Sequence, residues 1–127
     1  MNLDKVVFGF FILLAATLNF GFVYGDIEVA AQHQVWELFA AIVVNLVATI
    51  LKLGDRTQVG AVHLATSLVA DLQLLLAASV WAIAAHVSEA GFTPTATSGV
   101  VSLAAGALFA NVVSVLLLIG ETLALRR

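Results

Sequence analysis

The chain has 127 residues, of which 62% are hydrophobic and 10% charged, and its mean hydropathy is +1.11. Soluble domains run about 45–50% apolar and about 25% charged, so a soluble globular domain is excluded, its surface having too few charges to cover it. A net charge of −3 with five basic residues offers no basic patch for nucleic acid, and the lack of cysteine removes disulfides and thiolate metal sites.

One membrane domain is the class that is left, with the lipid bilayer as its first partner. These residues leave no room for a soluble catalytic domain beside it. A hydrocarbon core about 30 Å thick needs roughly 20 apolar residues per helix. Four segments meet that requirement, at about 6–24, 35–53, 59–87 and 99–125. The first follows a short charged start, as a signal peptide does, and is read as a retained span. Gly25 and Asp26 end it, with Asp26 placed to cap a helix from Ile27. Gly54-Asp55-Arg56-Thr57 reads as a tight turn with Gly54 as the helix stop. Thr93 is an N-cap candidate, followed by Pro94, the only proline, at a first helical position. The third and fourth segments exceed the minimum length and must tilt or protrude. Short connections make successive helices antiparallel neighbours, so the expected fold is all-α, an up-down bundle of four transmembrane helices.

Charge orients the bundle. Lys5, Lys52, Arg56, Arg126 and Arg127 fall at one end, and the other two connections carry Asp26, Glu28 and Glu89 with no Lys or Arg. The positive-inside rule then puts both termini in the cytoplasm, and the location expected is a bacterial inner membrane. Tyr24, Trp36 and Trp81 belong to the opposite end, where they form an aromatic belt.

The first span holds Phe8, Phe10, Phe11, Phe20 and Phe22, which point all around it and suit a lipid-facing helix. The fourth span carries Gly99, Ser102, Gly106, Ala110 and Ser114 at close-packing spacing. Such a run serves either packing inside one bundle or a self-association seam between protomers.

Polar groups inside hydrocarbon are the informative residues. An Asp at a helix centre costs about 2.5–3.5 kcal/mol on insertion scales, so it is a functional candidate by default. Asp71 sits roughly 18 Å into the third span, counted at about 1.5 Å per residue. Asn45 and Asn111 fall near the same depth, and Asn19 lies somewhat nearer the aromatic end. Gln73 is on nearly the opposite face of the third span from Asp71. The asparagines are either hydrogen-bonding glue or the lining of a polar track. Asp71 is either a protonated hydrogen-bond donor or a titrating centre. His63, Ser67 and Asp71 recur every fourth residue and share one face of the third span. Glu37, Ala41, Asn45, Thr49 and Lys52 form a similar stripe on the second. If the stripes meet, Glu37 tops a polar interior, Asn45 joins Asp71 in the middle, and His63 with Lys52 lies below, a set suited to a proton or small monovalent cation. The plainer reading makes His63 an interfacial histidine bonded to a backbone carbonyl and sends Lys52 outward to the headgroups. Glu121 is placed to pair with Lys52 or Arg126, or to face water.

His33, His86, Asp26, Glu28 and Glu89 match no ligand spacing and read as solvated loop residues, so no metal and no cofactor is expected. No catalytic residues are expected either. There is no HExxH, GxSxG or phosphate loop, and His63 lies about 12 Å by helix rise from Asp71, too far to be oriented by it as in a triad.

The stretch Val43-Val44-Asn45-Leu46-Val47-Ala48-Thr49 faintly resembles the asparagine-bearing helix of small fluoride channels, but their broken third helix has no counterpart and the charge bias opposes dual topology. Small multidrug transporters need a glutamate in the first span, where only Asn19 stands, and a voltage sensor needs arginines along its fourth helix. As a whole the chain resembles the uncharacterised small four-span bacterial inner-membrane families, a resemblance that carries no function over. The residues themselves support a homo-oligomer that conducts or couples to a monovalent cation or proton, centred on Asp71. The alternative is a non-conducting accessory subunit whose partner is another membrane protein and whose polar residues are helix-pairing glue.

Overall fold

The computed structural model describes residues 3–25, 31 and 33–125. Helices α1 (Leu3–Val23), α2 (Val35–Lys52), α3 (Gln58–His86) and α4 (Pro94–Leu125) account for almost all of them. Each is long and apolar enough to cross a membrane, and no strand occurs among the described residues. At about 1.5 Å per residue, α3 and α4 exceed the roughly 30 Å of a hydrocarbon core, whereas α1 and α2 match it.

Each helix packs against its two cyclic neighbours, in the order α1–α2–α3–α4 and back to α1, and the α3–α4 pair is the most extensive. That pair meets through small side chains. Ala70 and Ala77 of α3 and Ala104, Ala107 and Ala110 of α4 are buried in one cluster, a composition that lets backbones approach closely where water supplies no hydrophobic drive. The outer faces carry Phe10, Phe20, Leu72, Phe109 and Leu116, exposed as lipid contact requires. The α1 phenylalanines therefore divide. Phe8 and Phe22 lie on a buried stripe with Ile12, Ala15 and Asn19, and Phe10 and Phe20 face outward.

The connections show where local chemistry overrides a simple glycine signal. Gly54 has no left-handed backbone and is not the stop for α2. The turn is built by Asp55, whose Oδ1 accepts from Thr57 N at 2.9 Å and Thr57 Oγ1 at 2.7 Å. Thr57 then caps α3, accepting from Gly60 N at 3.0 Å. Gly60 lies against the Asp55 carboxylate, so a side chain there would collide with it. Before α4, Gly91 adopts φ +66°, and Thr93 caps the helix by accepting from Ala96 N at 3.1 Å. With cap and proline both used, α4 begins at Pro94, five residues before its continuous apolar run at Gly99. The expected cap at Asp26 lies outside the described residues.

Candidate functional site

The buried side chains form two apolar clusters. One gathers Phe22, Leu38, Ala41, Leu74, Val101 and Ala107 toward the aromatic end, and the other gathers Phe8, Ile12 and Ala48 toward the charged end. On α1, α2 and α4 a polar residue falls between the two: Asn19, Asn45 and Asn111, each fully buried. On α3 the buried face runs His63, Ser67, Asp71, as its four-residue spacing requires. Polar groups of all four helices thus occupy the space between the apolar clusters.

Asp71 reaches α2, but its partner there is Thr49, not Asn45. The Thr49 hydroxyl lies 2.5 Å from Asp71 Oδ2 and 2.9 Å from the backbone oxygen of Asn45. Asn45 itself turns back to its own helix, donating to Ala41 O at 3.0 Å. His63 is bonded across to α4, with Nδ1 2.6 Å from Ser114 Oγ, rather than to a backbone carbonyl. Between these two cross-links stands the Ser67 hydroxyl. Among the described residues it has no hydrogen-bond partner, nor do His63 Nε2, Asp71 Oδ1 and Asn45 Oδ1, all buried. Buried polar atoms are almost always paired, so these four on facing stripes stand out, as do Gln73 Oε1, Asn111 Oδ1 and Glu121 Oε1 elsewhere in the bundle.

Asn111 does not join Asp71 either. It pairs with Asn19, whose amide, with O and N assigned by the groups around it, donates to Ala104 O at 3.0 Å and accepts from Leu108 N at 3.1 Å and Asn111 Nδ2 at 3.3 Å. Ala104 and Leu108 are one helical turn apart, so a single α1 side chain brackets a rung of the α4 backbone. Glu37 is separate again. Its carboxylate lies over Gly21 of α1, at the aromatic end, away from the His63–Asp71 stripe. Gln73 covers Gly106 of α4, where a side chain would collide with its amide. Of the close-packing run on α4, Gly106, Ala110 and Ser114 are thus occupied inside the bundle, and only Gly99 and Ser102 lie away from it.

The charged end closes on itself. Lys5 of α1 and Glu121 of α4 pair at 2.5 Å, while Lys52 pairs with Asp55 instead and Arg126 lies outside the described residues. Lys52 does not reach outward to headgroups. It is folded in, 7% exposed, with Nζ 4.2 Å from the Phe8 ring centroid and 3.4 Å from Asp55 Oδ2. The gain is a cation–π contact plus an ion pair in place of full hydration. The Thr57 hydroxyl and backbone N–H, helped by Lys52, hold the Asp55 carboxyl down at about 2. Phe8 stacks edge-on against His63 at 5.0 Å between centroids. Above it a cleft of about 440 Å³, lined by Asp4, Phe8, Lys52 and Asp55, opens between α1 and α2. Phe8 is therefore the floor of that cleft and the lid of the His63–Asp71 stripe.

At the other end His33 is not a solvated loop residue. It is buried, with Nδ1 2.6 Å from Phe22 O and its ring against Phe22. His86 and Glu89 are exposed, and Asp26 and Glu28 lie outside the described residues. Thr49, Phe8 and Ser114 are the site residues that a search for strongly polar or charged groups passes over. Thr49 is nevertheless one turn from Asn45 on its stripe, and Ser114 three residues from Asn111.

Four apolar helices around a buried polar layer define a multi-pass integral membrane protein. The model of a family of unknown function, DUF6394, matches residues 32–122, and the chain belongs to that family. No curated protein and no solved structure matches it.

Proposed function

We propose that the chain conducts protons, or couples to a proton or small monovalent cation, along the buried stripe from His63 through Ser67 to Asp71. One observation carries this reading. Asp71 is a buried carboxyl without a cationic partner, bonded only through a neutral hydroxyl, and a protein needing only helix pairing would use Asn there at less cost. Two titratable groups separated by a hydroxyl, with unpaired buried atoms on each, suit a proton that hops better than a hydrated ion that needs a pore. The stripe lies inside one bundle, so this pathway runs through a single chain, and self-association would serve stability or regulation. The same reading puts the basic end and both termini in the cytoplasm, of a bacterial inner membrane, in accord with the positive-inside rule.

The Asn19 bracket on α4 favours a second reading, a non-conducting accessory subunit whose polar layer specifies helix pairing for assembly with another membrane protein. Flux into proteoliposomes separates the two. Under a pH gradient the wild type acidifies the lumen, and Asp71→Asn slows this by about a hundredfold, the usual scale for losing a positioned proton carrier. A wild type that passes neither protons nor potassium or sodium under any gradient overturns conduction and leaves the accessory reading. Full flux in Asp71→Asn overturns the assignment of the site.

A further inference from the structure

All four helices converge on a cavity of about 250 Å³ at the aromatic end, lined among others by Phe22 of α1, Trp81 of α3, Phe92 of the α3–α4 connection, and Thr97, Val100 and Val101 of α4. Pockets between the helices of a bundle are common ligand sites, and this one is slightly smaller than the usual range of about 300–1,000 Å³, so it suits only a small ligand. Its walls are mostly apolar and aromatic, with Trp81 and Phe92 ring centroids 6.0 Å apart, and the polar residues His33 and Gln34 line it beside Thr97.

Thr97 is the anomaly. The hydroxyls of Thr17, Thr49, Thr66 and Thr122 each return to a carbonyl of their own helix, the usual way to satisfy a hydroxyl in apolar surroundings. Thr97 makes no such bond, although it is only 5% exposed, and its residue lines the cavity. Its oxygen is not enclosed like those of the His63–Asp71 stripe, and at the cavity wall it is placed to bond what enters.

Charge indicates what that is. The two connections at this end contain no Lys or Arg and carry Asp26, Glu28 and Glu89. The Glu37 carboxylate lies over Gly21, the residue before Phe22. An aromatic-walled pocket in a negative field attracts a cation that is weakly hydrated and can lie against ring faces. We infer that this cavity binds a small hydroxyalkylammonium cation, its ammonium against Trp81, Phe92 and Phe22 and its hydroxyl bonded to Thr97. Such a cation comes either as a free solute or as the headgroup of a lipid at the aromatic belt.

The test uses the full chain in maltoside micelles, with Trp36→Phe leaving Trp81 as the sole tryptophan reporter. Choline is expected to change its fluorescence saturably, and the neutral carbon isostere 3,3-dimethylbutan-1-ol to bind about tenfold more weakly or worse. Thr97→Val, which keeps the shape, should weaken choline about fivefold. Val101→Phe, which fills the cavity, should abolish binding. Unchanged helicity and thermal unfolding show that each variant is folded. Displacement of choline by a short-chain phosphatidylcholine supports the lipid source, and its failure to compete supports the free solute. No saturable response to choline overturns the inference. Equal binding of the isostere overturns it too, since the cavity is then merely apolar, and undiminished binding in Val101→Phe puts the site elsewhere. None of these readouts depends on ion flux, so the inference stands or falls apart from the proposed conduction.

Discussion

The hydroxyl of Thr49 lies within hydrogen-bonding distance of two acceptors, Asp71 Oδ2 at 2.5 Å and the Asn45 backbone oxygen at 2.9 Å. It has one proton to give. The arrangement is complete when the carboxyl carries a proton and donates to Thr49, which in turn donates to the Asn45 carbonyl. Asp71→Asn supplies an N–H in place of the acid proton and should leave stability within about 1 kcal/mol of wild type. Thr49→Val keeps the shape but strands the carboxyl, and should cost about 1–3 kcal/mol. Unfolding of the detergent-solubilised variants in SDS measures both. A large loss in Asp71→Asn with none in Thr49→Val would reverse the assigned roles.

Asn19 and Asn111 should behave as a pair. Asn19→Ala removes the bracket on the Ala104–Leu108 rung as well as the link to Asn111, so it should cost more than Asn111→Ala. A double-mutant cycle should give a coupling of about 0.6–1.7 kcal/mol, the range for interhelical hydrogen bonds in membranes. Strict additivity would mean that the two amides do not interact.

Phe8 should control how readily solvent reaches His63. Its ring lies between the Lys52 ammonium and the imidazole, under the cleft at the charged end. Carbethoxylation by diethylpyrocarbonate, followed residue by residue by mass spectrometry, reads this directly. The exposed His86 should react first and the buried His33 slowly in every variant. His63 should be slow in wild type and about tenfold faster or more in Phe8→Ala, with Phe8→Leu close to wild type. If Phe8→Ala accelerates His33 as well, the bundle has loosened generally, and a specific lid is ruled out.

The spans and the turn at Pro94 were legible in the sequence because each rests on a local signal: a run of apolar residues, a cap, a glycine. The buried stripe of α3 was legible too, since helical spacing alone puts His63, Ser67 and Asp71 on one face. Their partners were not. Whether Asp71 meets Asn45 or Thr49 depends on the axial offset of α2 against α3, for which helical spacing within each segment gives no marker. Counting depth from helix ends fails for the same reason, because α3 and α4 are longer than α2 and the ends are not level. The outward reading of Lys52 fails although its charge favours water, because the nearby Phe8 ring and Asp55 make the inward rotamer worthwhile.

Asp55 sets the pH dependence of the turn between α2 and α3. Its carboxyl is held at about 2 against an ordinary 3.8, chiefly by the Thr57 hydroxyl and N–H. A carboxyl lowered on folding stabilises the folded state while it is ionised. That contribution is complete above the unfolded value near 3.8 and is lost as pH falls toward 2. Thermal unfolding of the wild type should therefore weaken between about pH 4 and pH 2, and Asp55→Asn should remove this part of the slope. The carboxyl is partly exposed, so screening by solvent and salt keeps the effect small. Thr57→Val should act through the same bonds, lowering stability at neutral pH by about 1 kcal/mol through loss of the α3 cap, and flattening the acid limb as well. An acid limb of full size in both variants would assign the pH dependence to a group other than Asp55.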